Sequence, residues 1–318
     1  MESITAHKKI RIGILGAANI AKKNVHSIIS SNHCSIAGIA SRNIDKAHAF
    51  VNDLNLANIV KVFDSYDALI TSDEVDALYL PLPTSHHLEW VLKCAANKKH
   101  VLLEKPAALS LTDLQTMLKA CKDNNLIFMD GVMFTHHGRM ISLSNILQDP
   151  YTGNVQRVSS SFSFNGAEEF LTSNIRVKST GDPFGCLGDL GWYCSLFGFL
   201  AFNKCVRIMT KGEYKLPLSC IAICDKWSDD GVPLQCNCKV YFSADKLLVL
   251  SYDCSFLLPF RQTYEVLCNG IVSKGTVDKI ITCDDFVLPR SPYKASFTVE
   301  SHPANGMYMC IRMSSTIH

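Results

Sequence analysis

The chain has 318 residues, of which 47% are hydrophobic and 19% charged, with a formal net charge of +2. That length predicts two domains with ordinary globular cores, and so small a charge excludes a field that would steer the chain to nucleic acid or to an anionic membrane. The longest apolar stretch, Phe184 to Phe202, is interrupted by Asp189 and falls short of the roughly 18 uncharged residues of a membrane span, so a soluble protein is expected.

Strand and helix signals alternate at short intervals from the start, the pattern of a parallel sheet with crossover helices. Lys9 to Leu15 reads as a strand, Ala17 to Ser30 as a helix and Ser35 to Ala40 as a second strand. Ile44 to Asn52 is a helix with Ala47, Phe50 and Val51 inward, Ile59 to Val62 a third strand, and Ser65 to Ile70 a short helix. Val75 to Leu80 is a fourth strand, Leu88 to Asn97 a helix and His100 to Glu104 the fifth strand. Leu111 to Asn124 is a helix with Leu111, Leu114, Met117, Leu118 and Cys121 on one stripe, and Leu126 to Asp130 is a sixth strand. The fold class expected is α/β: residues 1–130 form a doubly wound Rossmann domain.

From about Arg157 the apolar period falls from 3.6 to 2. Val158, Phe162 and Phe164 alternate with Ser159, Ser161 and Ser163, and Cys236, Cys238, Val240 and Phe242 alternate with Asn237, Lys239 and Tyr241. Asn269-Gly270 between two β-rich runs predicts a hairpin turn. Residues 131–318 are therefore expected to form an α+β domain with a mainly antiparallel open sheet, interrupted by an apolar helix from about Asp189 to Phe202.

The N-terminal residues Met1 to Lys9 carry no signal-peptide core, so a cytoplasmic protein is expected. Its fourteen cysteines are spread along an apolar-rich chain and read as buried thiols. Cys220, Cys224, Cys236 and Cys238 come nearest to a metal-ligand set, but they lack the two-residue knuckles of structural sites and no metal is expected.

Four segments carry candidate chemistry. The first strand runs into a turn where Gly16, Ala18 and Ala21 take the three small positions of a dinucleotide fingerprint, with Asn19 and Ile20 opening the next helix; its free amides suit a pyrophosphate. The second strand ends in Ser41-Arg42, a hydroxyl and a guanidinium with no acid to hold a ribose 2′-hydroxyl, which favours the 2′-phosphate of NADP(H). After the fourth strand, Pro81-Leu82-Pro83-Thr84 stiffens a loop that ends in His86-His87. The fifth strand ends in Glu104-Lys105-Pro106, at the sheet edge where open α/β folds bind ligands. In the second domain, Asp189 is the one charge between Phe184 and Asn203 and needs a partner, and Tyr193 follows it by four residues.

Taken together and in this order, these motifs resemble the glucose-fructose oxidoreductase, inositol dehydrogenase and MocA family. Tyr193, where many members carry histidine, is similar to the dimeric dihydrodiol dehydrogenase and D-xylose 1-dehydrogenase branch. The resemblance implies an NAD(P)-dependent oxidoreductase acting on a sugar or cyclic diol, with Lys105 beside nicotinamide and substrate and a cis Lys105-Pro106 peptide. It also implies Asp189, Tyr193 and His87 as site residues, Glu104 at the cofactor, and a homodimer formed through the second sheet. Two departures stand out. Thr298 to His318 lacks the expected closing helix and final strand, which suggests a truncated second domain, and Thr135-His136-His137-Gly138-Arg139 offers His136 and Arg139 as substrate contacts.

The chemistry expected is oxidation of a secondary or hemiacetal hydroxyl, with Lys105 accepting the proton directly or through Tyr193 and with Asp189 orienting the set. The alternatives are reduction of another carbonyl or conjugated substrate, and a non-catalytic NADP(H)-binding regulator. A small-molecule substrate is expected, with neither nucleic acid nor membrane as partner.

Overall fold

The computed structural model describes residues 9–205, 214–272, 275–287, 294–303 and 309–316. The chain divides into two compact units, Met1–Gly131 and Val132–His318.

In the first unit the elements are β1 (Ile10–Leu15), α1 (Asn19–Ser30), β2 (Cys34–Ala40), α2 (Ile44–Asp53), β3 (Lys61–Phe63) and α3 (Tyr66–Thr71). They continue with β4 (Ala77–Leu80), α4 (His87–Ala96), β5 (His100–Leu103), α5 (Leu111–Asp123) and β6 (Phe128–Asp130). All six strands pair in parallel in the order β3-β2-β1-β4-β5-β6, which reverses direction between β1 and β4. Neighbouring residues on each strand serve opposite faces. Ile14, Ile39 and Tyr79 join Val25, Phe50 and Val51 in one core. Leu15, Ala40, Leu78 and Leu80 join Leu69, Val91 and Met117 in the other. Asn43, Ser65 and Ser110 cap α2, α3 and α5 with side-chain oxygens, which explains where those helices begin.

Two local expectations fail here. Ile59 is not in the third strand but 73% exposed, because the amides of Ile59 and Val60 both donate to the Leu56 carbonyl in a turn that delays β3 to Lys61. On α5, Leu111 and Leu118 are exposed, and only Met117 and Cys121 of the expected stripe are buried, with Leu114 packed beside them.

The second unit opens with α6 (Gly138–Gln148), β7 (Asn154–Asn165) and α7 (Glu168–Ser173). A π-helical turn, Leu187–Gly191, then runs into α8 (Trp192–Phe202). Six strands enter before the chain closes: β8 (Ser219–Trp227), β9 (Pro233–Tyr241), β10 (Val249–Ser255), β11 (Leu257–Val272), β12 (Gly275–Cys283) and β13 (Lys294–Pro303). A seventh, β14 (Met309–Thr316), completes a sheet of order β14-β13-β12-β11-β7-β10-β9-β8. β7 and β10 run parallel, and the other described pairings are antiparallel. One face of this sheet, through Val158, Phe162, Leu250, Cys254, Tyr264, Val266 and Ile281, packs with Tyr193, Cys194, Phe197 and Ala201 of α8. A helix that is apolar on all sides belongs in such a core.

The alternation of β7 does not leave its serines in water. Ser161 and Ser163 are buried, because Ser161 Oγ donates to Asp253 Oδ2 at 2.6 Å and Ser163 Oγ to the Pro259 carbonyl at 2.7 Å. Asn269-Gly270 is not the hairpin turn either. It lies within β11, opposite Asp278 and Val277, and the reversal comes after Val272, which pairs with Gly275. The small residues serve a close approach instead: at Gly153, with φ +73°, a Cβ would stand 2.8 Å from Gly270 Cα and 2.0 Å from the Asn269 carbonyl oxygen. The segment from Thr298 also departs from expectation, since it carries the rest of β13 and the whole of β14, so a final strand is present.

Candidate active site

The carboxyl edge of the first sheet gathers several of the sequence-predicted residues. Gly16 leaves β1 with φ +129°, a conformation that disfavours any side chain. A Cβ placed there would lie 3.2 Å from Leu82 Cδ2, 3.5 Å from the Pro81 carbonyl oxygen and 3.7 Å from Tyr66 Oη. The turn after β1, the loop after β4 and the start of α3 therefore meet around a hollow that only glycine preserves. Ala18, the residue before α1, supplies no side-chain acceptor, and the first turn of that helix holds no acid. The amides of Asn19 and Ile20 belong to the first turn, whose N–H groups have no partner within a helix.

Beside this turn, Ser41 is buried and Arg42 exposed at the end of β2. Tyr66 links the two regions. Burial pushes its phenol up, while the charge and the main-chain N–H of Arg42 act in the opposite direction. Its ring meets Trp90 edge-on at 4.8 Å. The sequence reading missed Tyr66, although a tyrosine opening the helix after the third strand was a usable signal. These groups fit a dinucleotide: a glycine cradle, first-turn helix amides for the pyrophosphate, and polar groups at the end of β2 for the ribose.

His87 is buried, with Nδ1 3.1 Å from the Ala107 carbonyl and Nε2 2.9 Å from the Leu82 carbonyl. It thereby ties the loop after β4, which includes Pro81, Leu82, Pro83 and buried Thr84, to the segment after β5. Glu104 is buried at the end of β5 and accepts a 2.6 Å hydrogen bond from Tyr79 Oη. Lys105 follows, half-buried, and the Lys105-Pro106 peptide is cis.

In the second unit, Asp189 lies in the π-helical turn and pairs with Arg176 Nε at 3.1 Å, its side chain 14% exposed. The partner demanded by the sequence is thus an arginine thirteen residues earlier, for which no local signal existed. Tyr193 is buried between Phe134 and Phe162, with its hydroxyl donating to Met133 Sδ at 3.8 Å. The i→i+5 bonding of a π turn changes the angular spacing that a 3.6-residue period assigns to residues four apart.

Arg139 is not available to a ligand. It is 4% exposed and donates to Asp285 Oδ1 at 2.6 Å and to the carbonyls of Asp285 and Phe286 at 3.0 Å each. His136 remains exposed.

The first unit is a Rossmann domain by strand order, two-sided core and cradle. Residues 10–132 match the GFO_IDH_MocA model, described as an oxidoreductase family with an NAD-binding Rossmann fold. Over this region the chain is similar to that family's dinucleotide-binding domain. It is similar to the NADP(+)-dependent D-xylose 1-dehydrogenase 2 of Haloferax volcanii, 32% identical over 57% of this chain and 54% of that one. It is also similar to trans-1,2-dihydrobenzene-1,2-diol dehydrogenase of Danio rerio, 26% identical over 79% of this chain and 70% of that one. Against other curated relatives, among them dTDP-3,4-didehydro-2,6-dideoxy-α-D-glucose 3-reductases, the match spans only 53–57% of their length. The fold is that of KijD10, a 3-ketoreductase from Actinomadura kijaniata solved with NADP and TDP-benzene: TM-score 0.80 at 21% identity, over 98% of this chain and 86% of that one. Among the described residues, no helix is long and apolar enough to cross a membrane, and no group of three or more His, Cys, Asp or Glu forms a metal site.

Proposed function

We propose that this protein is an NADP-dependent oxidoreductase that transfers a hydride between the nicotinamide and a hydroxyl-bearing carbon of a sugar, such as D-xylose, or of a cyclic trans-diol. The observation that carries this reading is the position of Lys105, half-buried where β5 ends, on the same sheet edge as the Gly16 cradle. The nicotinamide, when bound, supplies the hydride acceptor or donor. Gly16, Ala18, Asn19 and Ile20 would hold the pyrophosphate. Ser41 and Arg42 would hold the 2′-phosphate, and it is their hydroxyl and guanidinium, in place of an acid, that favour NADP(H). Pro81, Leu82, Pro83 and Thr84 would line the nicotinamide side, with His87 and Glu104 fixing the two loops.

Lys105 is the proposed acceptor of the hydroxyl proton. Tyr193 and Asp189 are the second unit's proposed contribution to proton handling, with Asp189 held by Arg176. A homodimer through the second sheet belongs to the same reading and is supported by Ile221, Ile223 and Trp227, which stand exposed on the edge strand β8.

The test is Lys105→Met, assayed with NADP and NADPH against a panel of aldoses, diols and keto sugars. Turnover is expected to fall by about 10²–10⁴-fold, the usual worth of a positioned acid or base, while NADPH still binds; undiminished turnover refutes the role. A second reading, reduction of a keto sugar, is favoured by the 3-reductases among the relatives, and the NADPH arm of the panel separates it. Binding of NADPH without turnover anywhere in the panel would instead mark a cofactor-binding regulator.

A further inference from the structure

The cysteines of the second unit form a row that its proposed oxidoreductase chemistry does not use. Cys224 on β8 lies directly opposite Cys236 on β9, and Cys236 lies directly opposite Cys254 on β10. Cys186, just before the π-helical turn, closes over the row with its sulfur 4.0 Å from that of Cys236 and 3.9 Å from that of Cys254. Cys186, Cys236 and Cys254 are buried, whereas Cys224, on the edge strand, is only partly covered. Three thiols therefore surround Cys236, and one of them leads to solvent.

Such a centre favours one thiolate among several thiols. The hydrogen bond from Cys186, 4.0 Å away, draws the Cys236 thiol down, and the same contact together with burial pushes Cys186 up. The thiolate is the form that reacts with peroxides. Directly opposed residues of an antiparallel pair stand about 4.5 or 5.5 Å apart at Cα, and both separations fall inside the range that a disulfide spans.

We propose that Cys236 and Cys224 form an oxidation site for hydrogen peroxide, closing as a disulfide between β8 and β9. The Cys236 thiolate attacks one peroxide oxygen, the O–O bond breaks, and the departing hydroxide takes the proton of the Cys224 thiol to leave as water. Cys236 is then a sulfenic acid and Cys224 a thiolate. Cys224 attacks the Cys236 sulfur, the S–S bond forms, the S–O bond breaks, and the second hydroxide leaves as water with a proton from solvent. Two thiols are oxidised by two electrons and one peroxide is reduced to two waters.

The site is independent of the cofactor reading, and so is its test. Reduced full-length protein is treated with hydrogen peroxide, remaining thiols are blocked with N-ethylmaleimide, and unreduced peptides are mapped by mass spectrometry. A dithiothreitol-sensitive peptide pair joining Cys224 to Cys236 is expected. In Cys224→Ser, a substitution at the partly exposed position, that pair disappears and Cys236 is instead trapped by dimedone as a sulfenic acid. Bridges from Cys236 to Cys186 or Cys254, or oxidation confined to Cys34 and Cys220, would overturn the proposal.

Discussion

Replacing Arg139 by alanine tests whether this residue is a staple of the second unit or a ligand contact. Its guanidinium is almost wholly buried, and the Asp285 side chain it faces is 16% exposed. Besides that carboxylate it serves two carbonyls and lies 3.3 Å from Cys283 Sγ. Arg139→Ala removes every one of these donors and leaves Asp285 charged in a largely dry setting. Deleting one partner of a buried pair costs about 3–5 kcal/mol, mostly through the charge left behind. For a cooperative unit of this size the melting temperature should fall by about 6–20 °C. Arg139 is on α6, which lies against β13 and β14, so the loss should fall on the second unit's transition, followed by circular dichroism. Arg139→Met combined with Asp285→Leu should recover most of the loss, because exchanging both charges for apolar groups of similar volume removes the stranded carboxylate. The reasoning is refuted if Arg139→Ala costs less than about 1 kcal/mol, the worth of an exposed pair, while substrate KM rises.

Other consequences concern pH and cofactor choice. His137 Nδ1 accepts the Arg139 amide and so caps α6, and Nε2 has no partner among the described residues. Burial and the charge of Arg139 lower this histidine below its ordinary 6.5. The unfolded chain therefore binds the extra proton first, so stability from this group is complete above 6.5 and is lost as pH falls through the folded value. His137→Asn, which keeps a capping oxygen, should flatten the fall in the urea midpoint across that window, and an unchanged slope would acquit the histidine. Arg42→Ala should reduce the preference of kcat/KM for NADP(H) over NAD(H) by about 10–150-fold, the equivalent of a charge-assisted hydrogen bond worth about 1.5–3 kcal/mol. An unmoved ratio removes Arg42 from the 2′-phosphate.

What sequence reading recovered follows the range of the interactions involved. The alternating strands and helices of the first unit depend on local periodicity, so both were legible, while the caps Ser65 and Ser110 that fix two helix starts emerged only in the structure. Glu104-Lys105-Pro106 was legible as a strand end, but the bond from Tyr79 that holds Glu104 was not, because only sheet pairing brings residues 79 and 104 together. Asn269-Gly270 misled because turn propensity is a local rule, whereas the Gly153 turn packing against it is a tertiary contact. β14 was missed in a segment whose pattern is weak, and it is β13, bonded along its length, that makes it a strand.

The thiol row pushes this argument to its limit. Cys224, Cys236 and Cys254 are separated by hairpins, so their spacing matches no motif, and the sequence offered a different foursome with Cys220 and Cys238. Register decides between the two sets. Cys220 pairs with Val240 and Cys238 with Ala222, so neither faces a cysteine across the ladder, whereas Cys236 faces one on each side. A one-residue slip of β9 would turn its cysteines to the other face of the sheet. The cluster is therefore a property of strand pairing, which the apolar face of β9, through Cys236, Cys238 and Phe242 beyond its end, holds in place by burial. Any chemistry at Cys236 is conditional on that register, so a substitution that shifts β9 should abolish the peroxide-dependent bridge even with all four thiols intact.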